Sequence, residues 1–154
     1  MASRITEYED AHGVELAKRL HPGNVREAWT LLRMDGLEAI RDSVQRSERV
    51  WTGLDNGEVF AVFGIRSAGI LADTGYPWLV IREDIADHGI AFLRTFKSVV
   101  EAMQGMFGTL ESVVDAENGE LLKMVRWVGY SVGEAQPMGY DGRPFCRITR
   151  KRGE

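Results

Sequence analysis

The chain has 154 residues, enough for one domain with its own core and too few for two of ordinary size. Hydrophobic residues make up 44% and charged residues 27%, which excludes a disordered or fibrous chain. The formal net charge of −4 argues against general nucleic-acid binding, and no apolar run approaches the roughly 18 residues of a membrane span.

In chain order, "SRITEY" alternates and predicts a short first strand. Asp10 is placed to cap a helix over "AHGVELAKRL", and Pro22-Gly23 breaks it. Asn24 then caps a second helical region, "VREAWTLLRMDGLEAIRDSVQRSE", with Gly36 as an interruption. The period changes at "RVWTGLDNGEVFAVFGI", where two apolar segments flank Asn56-Gly57, a hairpin signal. After the loop "RSAGILADTGY", the continuous apolar run "PWLVI" predicts a strand buried on both faces. The segment "HGIAFLRTFKSVVEAMQGMF" follows as a helix with Phe92, Phe96, Val99, Met103 and Phe107 on one face. "TLESVVDA" is another strand and "NGELLKMVRWVG" a short helix, with Leu121, Leu122, Val125 and Val128 turned inward. "YSVGEAQPMGYDGRPFCRITR" closes as a hairpin turning near Asp141-Gly142. The order is β-α-α-β-β-β-α-β-α-β-β, in a single domain over residues 1–154.

Most side-chain constellations for catalysis are missing. His12, His21 and His88 lack metal-ligand spacing, so no metal site is expected. The lone Cys146 lies in a predicted strand and reads as a packed thiol; it makes no internal disulfide, which fits a reducing, cytoplasmic compartment. The start "MASRITEYED" lacks the pattern of a secretory leader. Trp29, Trp51, Trp78 and Trp127 are spread along the chain and read as packing residues, and the basic tail "CRITRKRGE" reads as solvated. The remaining feature is the turn between "PWLVI" and the next helix. A strand, a small-residue turn and a helix start make an anion cradle, because the first amides of a helix have no internal partner.

Gly89 and Ala91 in that turn, with Asn118, Gly129 and Tyr130 near the last helix, resemble the spaced motifs of the GCN5-related N-acetyltransferase (GNAT) superfamily. That family carries Gln/Arg-x-x-Gly-x-Gly/Ala after its fourth strand, and Asn-x-x-Ala-x-x-x-Tyr-x-x-x-Gly-Phe around its last helix. Here the Gln/Arg position is Ala86, the Ala position is Leu121 and the Tyr position is Val125. The resemblance implies an α/β (α+β) GNAT-like fold, a mixed sheet of about six to seven strands flanked by about four helices. It implies acetyl-CoA as cofactor, held by Ile81, Arg82, His88, Gly89, Ile90, Ala91 and Asn118, largely through main-chain groups. Glu83 is the acid/base candidate, with Asp84, Asp73 and Tyr76 nearby; valine at 125 leaves the leaving thiolate without the family's tyrosine acid. The carboxy-terminal half, from "PWLVIRED" to "GRPFCRITRKRGE", is similar to the internal virion protein A family of short-tailed phages, GNAT-like proteins with degraded motifs.

Two functions are implied by the resemblance. One is an acyl-CoA-dependent N-acetyltransferase-like protein, phage-encoded, acting on a small amine or a host protein in the host cytoplasm. The alternative is a non-catalytic phage protein that uses the fold as a scaffold for virion assembly or for binding a host protein. Neither involves nucleic acid or membrane, and a homodimer belongs to the same set of expectations.

Overall fold

The computed structural model describes residues 3–153. The chain runs β1 (Ser3–Glu7), α1 (Asp10–Ala17), α2 (Pro22–Leu32), α3 (Gly36–Arg46), β2 (Arg49–Asp55), β3 (Glu58–Ser67), β4 (Thr74–Ile81), α4 (Gly89–Met106), β5 (Thr109–Asp115), α5 (Gly119–Trp127), β6 (Ser131–Met138) and β7 (Arg143–Lys151). A single 3₁₀ turn, Ile85–His88, leads into α4. The seven strands form one sheet in the order β1-β2-β3-β4-β5-β7-β6. All neighbours are antiparallel except β4 and β5.

Helices cover both faces. On one, Phe92, Phe96, Val99 and Met103 of α4 and Leu122 and Val125 of α5 pack on Phe63, Ile65, Leu110 and Ile148. On the other, Leu16 of α1 and Ile40 of α3 pack on Leu54, Val59 and Val62. The β2–β3 hairpin turns as its sequence predicts, with Asn56 and Gly57 both at positive φ (54° and 81°). Gly129 ends α5 at φ 100°, a left-handed stop that suits glycine. Asn118 caps the same helix, its Oδ1 accepting from the Leu121 N–H at 3.2 Å.

The first helices depart from expectation. Asp10 does not cap α1: Glu9 stands at the cap position, and Asp10 instead takes a two-pronged bond from Arg41 of α3 at 3.1 and 3.0 Å. Pro22 begins α2 rather than breaking the chain, since proline suits the first turn, where its missing N–H costs nothing. His21 therefore takes the cap, its Nδ1 accepting from the Gly23 N–H at 2.9 Å, and Asn24 lies inside the helix with its side chain free to work elsewhere. The long second helical region splits in two at a left-handed Arg33 (φ 53°), after which Asp35 caps α3 through the Glu38 N–H at 2.9 Å.

Register shifts at Gly53/Leu54 and Val132/Ala135 leave the sheet continuous, but it parts between β4 and β5. β4 and β5 pair only at Thr74–Thr109 and Gly75–Leu110. Beyond those residues they diverge, leaving a wedge open through the sheet.

Candidate functional site

The walls of the wedge are the facing edges of β4 and β5. The Arg82 N–H reaches Phe60 O on β3, so by antiparallel alternation the even residues of this stretch bond to β3 and the odd ones face the wedge. Pro77 has no N–H, and its carbonyl accepts from Ser112 Oγ at 2.9 Å. Leu79 O accepts from Asn24 Nδ2 at 3.1 Å, Ile81 N–H donates to Asn24 Oδ1 at 2.9 Å, and Ile81 O accepts from the His21 N–H at 2.9 Å. The first turn of α2 thus docks on the β4 edge as a short strand would. On this stretch the Leu79 N–H is left without an acceptor among the described residues.

The wedge joins two cavities, one on each face of the sheet. The larger, about 500 Å³, lies under α2 and α3 and is floored by Tyr76, Trp78 and Val113. The smaller, about 90 Å³, lies under α4 and α5, with Phe96, Val125 and Tyr130 in its wall. Glu27, Pro77, Trp78, Leu79, Ser112 and Val113 line both, and so form the throat between them. Trp78 does not plug it: its Nε1 is drawn to Ser47 Oγ at 2.8 Å and its ring lies over Gly64. Trp127 stands outside, more than half exposed. Tyr130 is buried in the wall of the smaller cavity. Burial raises its pKa, so the phenol stays protonated and able to donate.

Glu27 is the acid of the throat. It is half-buried and makes no hydrogen bond or ion pair among the described residues. Desolvation, with the nearby Asp115 carboxylate adding to it, pushes its carboxyl up to about 7. Asp115 itself stays ionised. Its burial works against that, but the Glu117 N–H and the guanidiniums of Arg143 and Arg26 hold its carboxyl below the usual range. Two carboxylates in different surroundings are thereby pushed apart, the condition for one to work as a base near neutral pH.

The anion cradle lies beside the wedge. Gly89, Ile90 and Ala91 open α4, an 18-residue helix that the 3₁₀ turn Ile85–His88 leads straight into, and no side chain caps this end. A Cβ on Gly89 would meet open space, and its φ of −43° suits any residue, so neither packing nor backbone strain accounts for glycine there. His88 and Arg82 do not point their polar atoms at the cradle. Arg82, 5% exposed, binds Asp84 Oδ1 at 2.6 Å, Glu58 at 3.4 Å and His88 Nε2 at 2.7 Å. His88 Nδ1 lies 2.6 Å from Asp55. The main-chain groups expected at Ile81 and Arg82 are likewise engaged, by His21, Asn24 and Phe60.

Glu83 lines neither cavity; it is exposed and paired with Arg19 at 3.1 Å. Asp73 is structural, accepting from the Gly108 N–H at 2.9 Å. Asn118 caps α5 close to the first turn of α2, 3.4 Å from where a Cβ on Gly23 would stand. Sequence reading missed Glu27 and Leu79. Glu27 is one acid in a mixed helix, and only the divergence of two distant strands gives it a throat to occupy. Among the described residues no group of three or more metal-ligating side chains comes together.

These features fit a coenzyme A thioester. It needs an anion site for its diphosphate, for which the uncapped start of α4 is suited, and a passage for a narrow arm, for which the wedge and the smaller cavity leave room. No protein-family profile matches the chain, and no curated protein matches it by sequence. Solved structures do match. The GNAT-family acetyltransferase from Streptococcus pneumoniae superposes with a TM-score of 0.71 at 15% identity, covering 99% of this chain and 100% of that one. yncA from Salmonella typhimurium, solved with its cofactor acetyl-CoA, gives 0.72 at 9% identity over 100% and 96%. Spermidine N-acetyltransferase from Vibrio cholerae, in complex with CoA and spermine, gives 0.71 at 11% over 97% and 95%. The fold is that of the GNAT acetyltransferases, a mixed α+β sheet with helices on both faces.

Proposed function

We propose that the protein is an acyl-CoA-dependent N-acetyltransferase whose acceptor is a small amine. The observation that carries this is Glu27, a carboxyl with a pKa of about 7 in the throat between two cavities on opposite faces of the sheet. Acetyl-CoA supplies an acyl group already activated as a thioester. Gly89, Ile90 and Ala91 would hold its diphosphate at the start of α4, where the helix dipole favours an anion and no side chain caps the end. The acceptor enters from the α2–α3 side, where Glu27 takes the proton that the amine must lose to become nucleophilic. The Leu79 N–H is a free donor at the same throat, suited to an oxygen on which charge builds. Tyr130 is the phenol available in the smaller cavity, whose wall has Val125 at the family's tyrosine position.

The test is thiol release from acetyl-CoA with a panel of amines, alongside calorimetric titration of acetyl-CoA. Wild type binds and turns over; Glu27→Gln binds and does not turn over. No heat at millimolar acetyl-CoA would end this reading.

The docking of His21 and Asn24 on the β4 edge favours a second reading, because it uses main-chain groups that a strand-like arm would need. In it the protein is a phage product that keeps the fold as a scaffold for virion assembly or a host partner, in line with Ala86 and Val125 at the family's motif positions. Phage origin rests in both readings on the resemblance of the carboxy-terminal half. A partner recovered by pull-down from bacterial lysate, with no acetyl-CoA binding, would favour this second reading.

A further inference from the structure

The larger cavity carries charges that the transfer chemistry does not use. Arg46, in its wall, is paired with Asp42 at 3.1 Å. Arg66 and Arg147, also in its wall, make no ion pair or hydrogen bond among the described residues. Register places them on the same face of the sheet, on opposite sides of the wedge. Arg66 of β3 stands opposite Tyr76 of β4, and Arg147 of β7 opposite Val113 of β5, and both partners line this cavity. The Arg66 guanidinium lies over the Tyr76 ring, 5.3 Å from its centroid, which holds its planar fork in place. The two acids of this wall without a partner among the described residues are Glu27 and Glu111.

We propose that this cavity is an acceptor site for an α-amino acid with an apolar side chain, its carboxylate held by Arg66 and Arg147. The proposal rests on the transferase reading and names its substrate class. Two free guanidiniums, the Glu111 carboxylate and the titrating Glu27 carboxyl complement a zwitterion. A polyamine, all cation, would face the arginines unmatched, and a simple alkylamine would leave them unused. A volume of about 500 Å³ suits a molecule of amino-acid size, well within the usual range for small-ligand pockets. Leu31, Met34 and Ile40 supply an apolar wall for its side chain, and Glu27 stands where its amine must arrive.

The test is calorimetric titration of the protein with L-phenylalanine, L-phenylalaninamide, phenethylamine and spermidine. L-Phenylalanine is expected to bind roughly tenfold or more tightly than the amide or phenethylamine, the scale of a charge-assisted bidentate contact. Arg66→Gln with Arg147→Gln should remove that preference and leave phenethylamine affinity unchanged. Both side chains are exposed, so the variant should keep its fold, which its melting temperature checks. Equal or tighter binding of the amide, of phenethylamine or of spermidine overturns the proposal, as does no binding of phenylalanine. Acetyl-CoA is titrated on the same samples. Selective amino-acid binding without acetyl-CoA binding overturns the transferase reading alone; acetyl-CoA binding without a carboxylate preference overturns the acceptor class alone.

Discussion

Glu27 shows how one carboxyl is tuned by its place. Desolvation in the throat and the charge of Asp115 raise its pKa from the ordinary 4.5 to about 7. In the proposed transfer the deprotonated form is the base, so kcat/KM should rise with pH and level off above about 7, as a pH–rate profile will show. Glu27→Gln should lower kcat by roughly a hundredfold or more, the usual contribution of a general base. The same change has a stability consequence of opposite sign. Between 4.5 and about 7 the folded state holds a proton that the unfolded state has released, so stability falls as pH rises through that window. Above it, glutamine should stabilise the fold by up to about 3 kcal/mol, read from urea denaturation at pH 8. A variant both inactive and less stable at pH 8 would show that Glu27 has a structural role instead.

At the scale of elements, the start of α4 and the start of α2 divide the labour around the wedge. No side chain caps the start of α4 and Gly89 faces open space, so Gly89→Glu should fold as well as wild type while losing acetyl-CoA affinity. A carboxylate there would stand against the proposed diphosphate, and calorimetry with a thermal melt separates the two effects. The start of α2 is committed to the fold. Asn24→Ala strips partners from Leu79 O and Ile81 N, and should cost about 1–3 kcal/mol of stability by denaturant titration. The elements differ in legibility for a local reason. Asn56-Gly57, Asn118, Gly129 and the aromatic stripe of α4 act on their own neighbourhoods, so their residue types announce them. Asn24 reads as a helix cap because asparagine usually is one. Proline at the first helical position moves the cap back to His21 and releases the Asn24 amide to reach a strand 55 residues away.

Across the whole molecule, Arg82 is the joint that holds the cradle to the sheet. Its guanidinium ties Glu58 and Val59 of β3 to Asp84 and His88, and His88 passes the link to Asp55 of β2. Arg82→Met leaves these acids without their buried partner and should cost about 3–5 kcal/mol, measured by denaturation. Acid should loosen the same joint. Burial alone would raise the Asp84 carboxyl, but Arg82 and Arg19 hold it below the usual range. Its stabilising contribution is therefore present above the ordinary aspartate value and lost as pH falls through the lowered one, as is that of Asp115. Urea midpoints measured from pH 5 downward should fall steeply, and less so in Arg82→Met. Elsewhere the basic tail is not merely solvated: Arg150 donates to Val128 O and Gln104 Oε1, and Arg152 to Gln104 O.

Local chemistry in the sequence was enough to set the alternation of strands and helices from β2 onward, the tight turn of the β2–β3 hairpin, the buried face of α4 and the small residues of its first turn. Each depends on residues within a few positions of one another. The divergence of β4 from β5, the throat it opens, the raised pKa of Glu27 and the unpaired arginines on either side were decided by tertiary structure alone. They arise from groups far apart in the chain, and a carboxyl's proton affinity answers to the water and charge around it in three dimensions, which no stretch of neighbouring residues specifies.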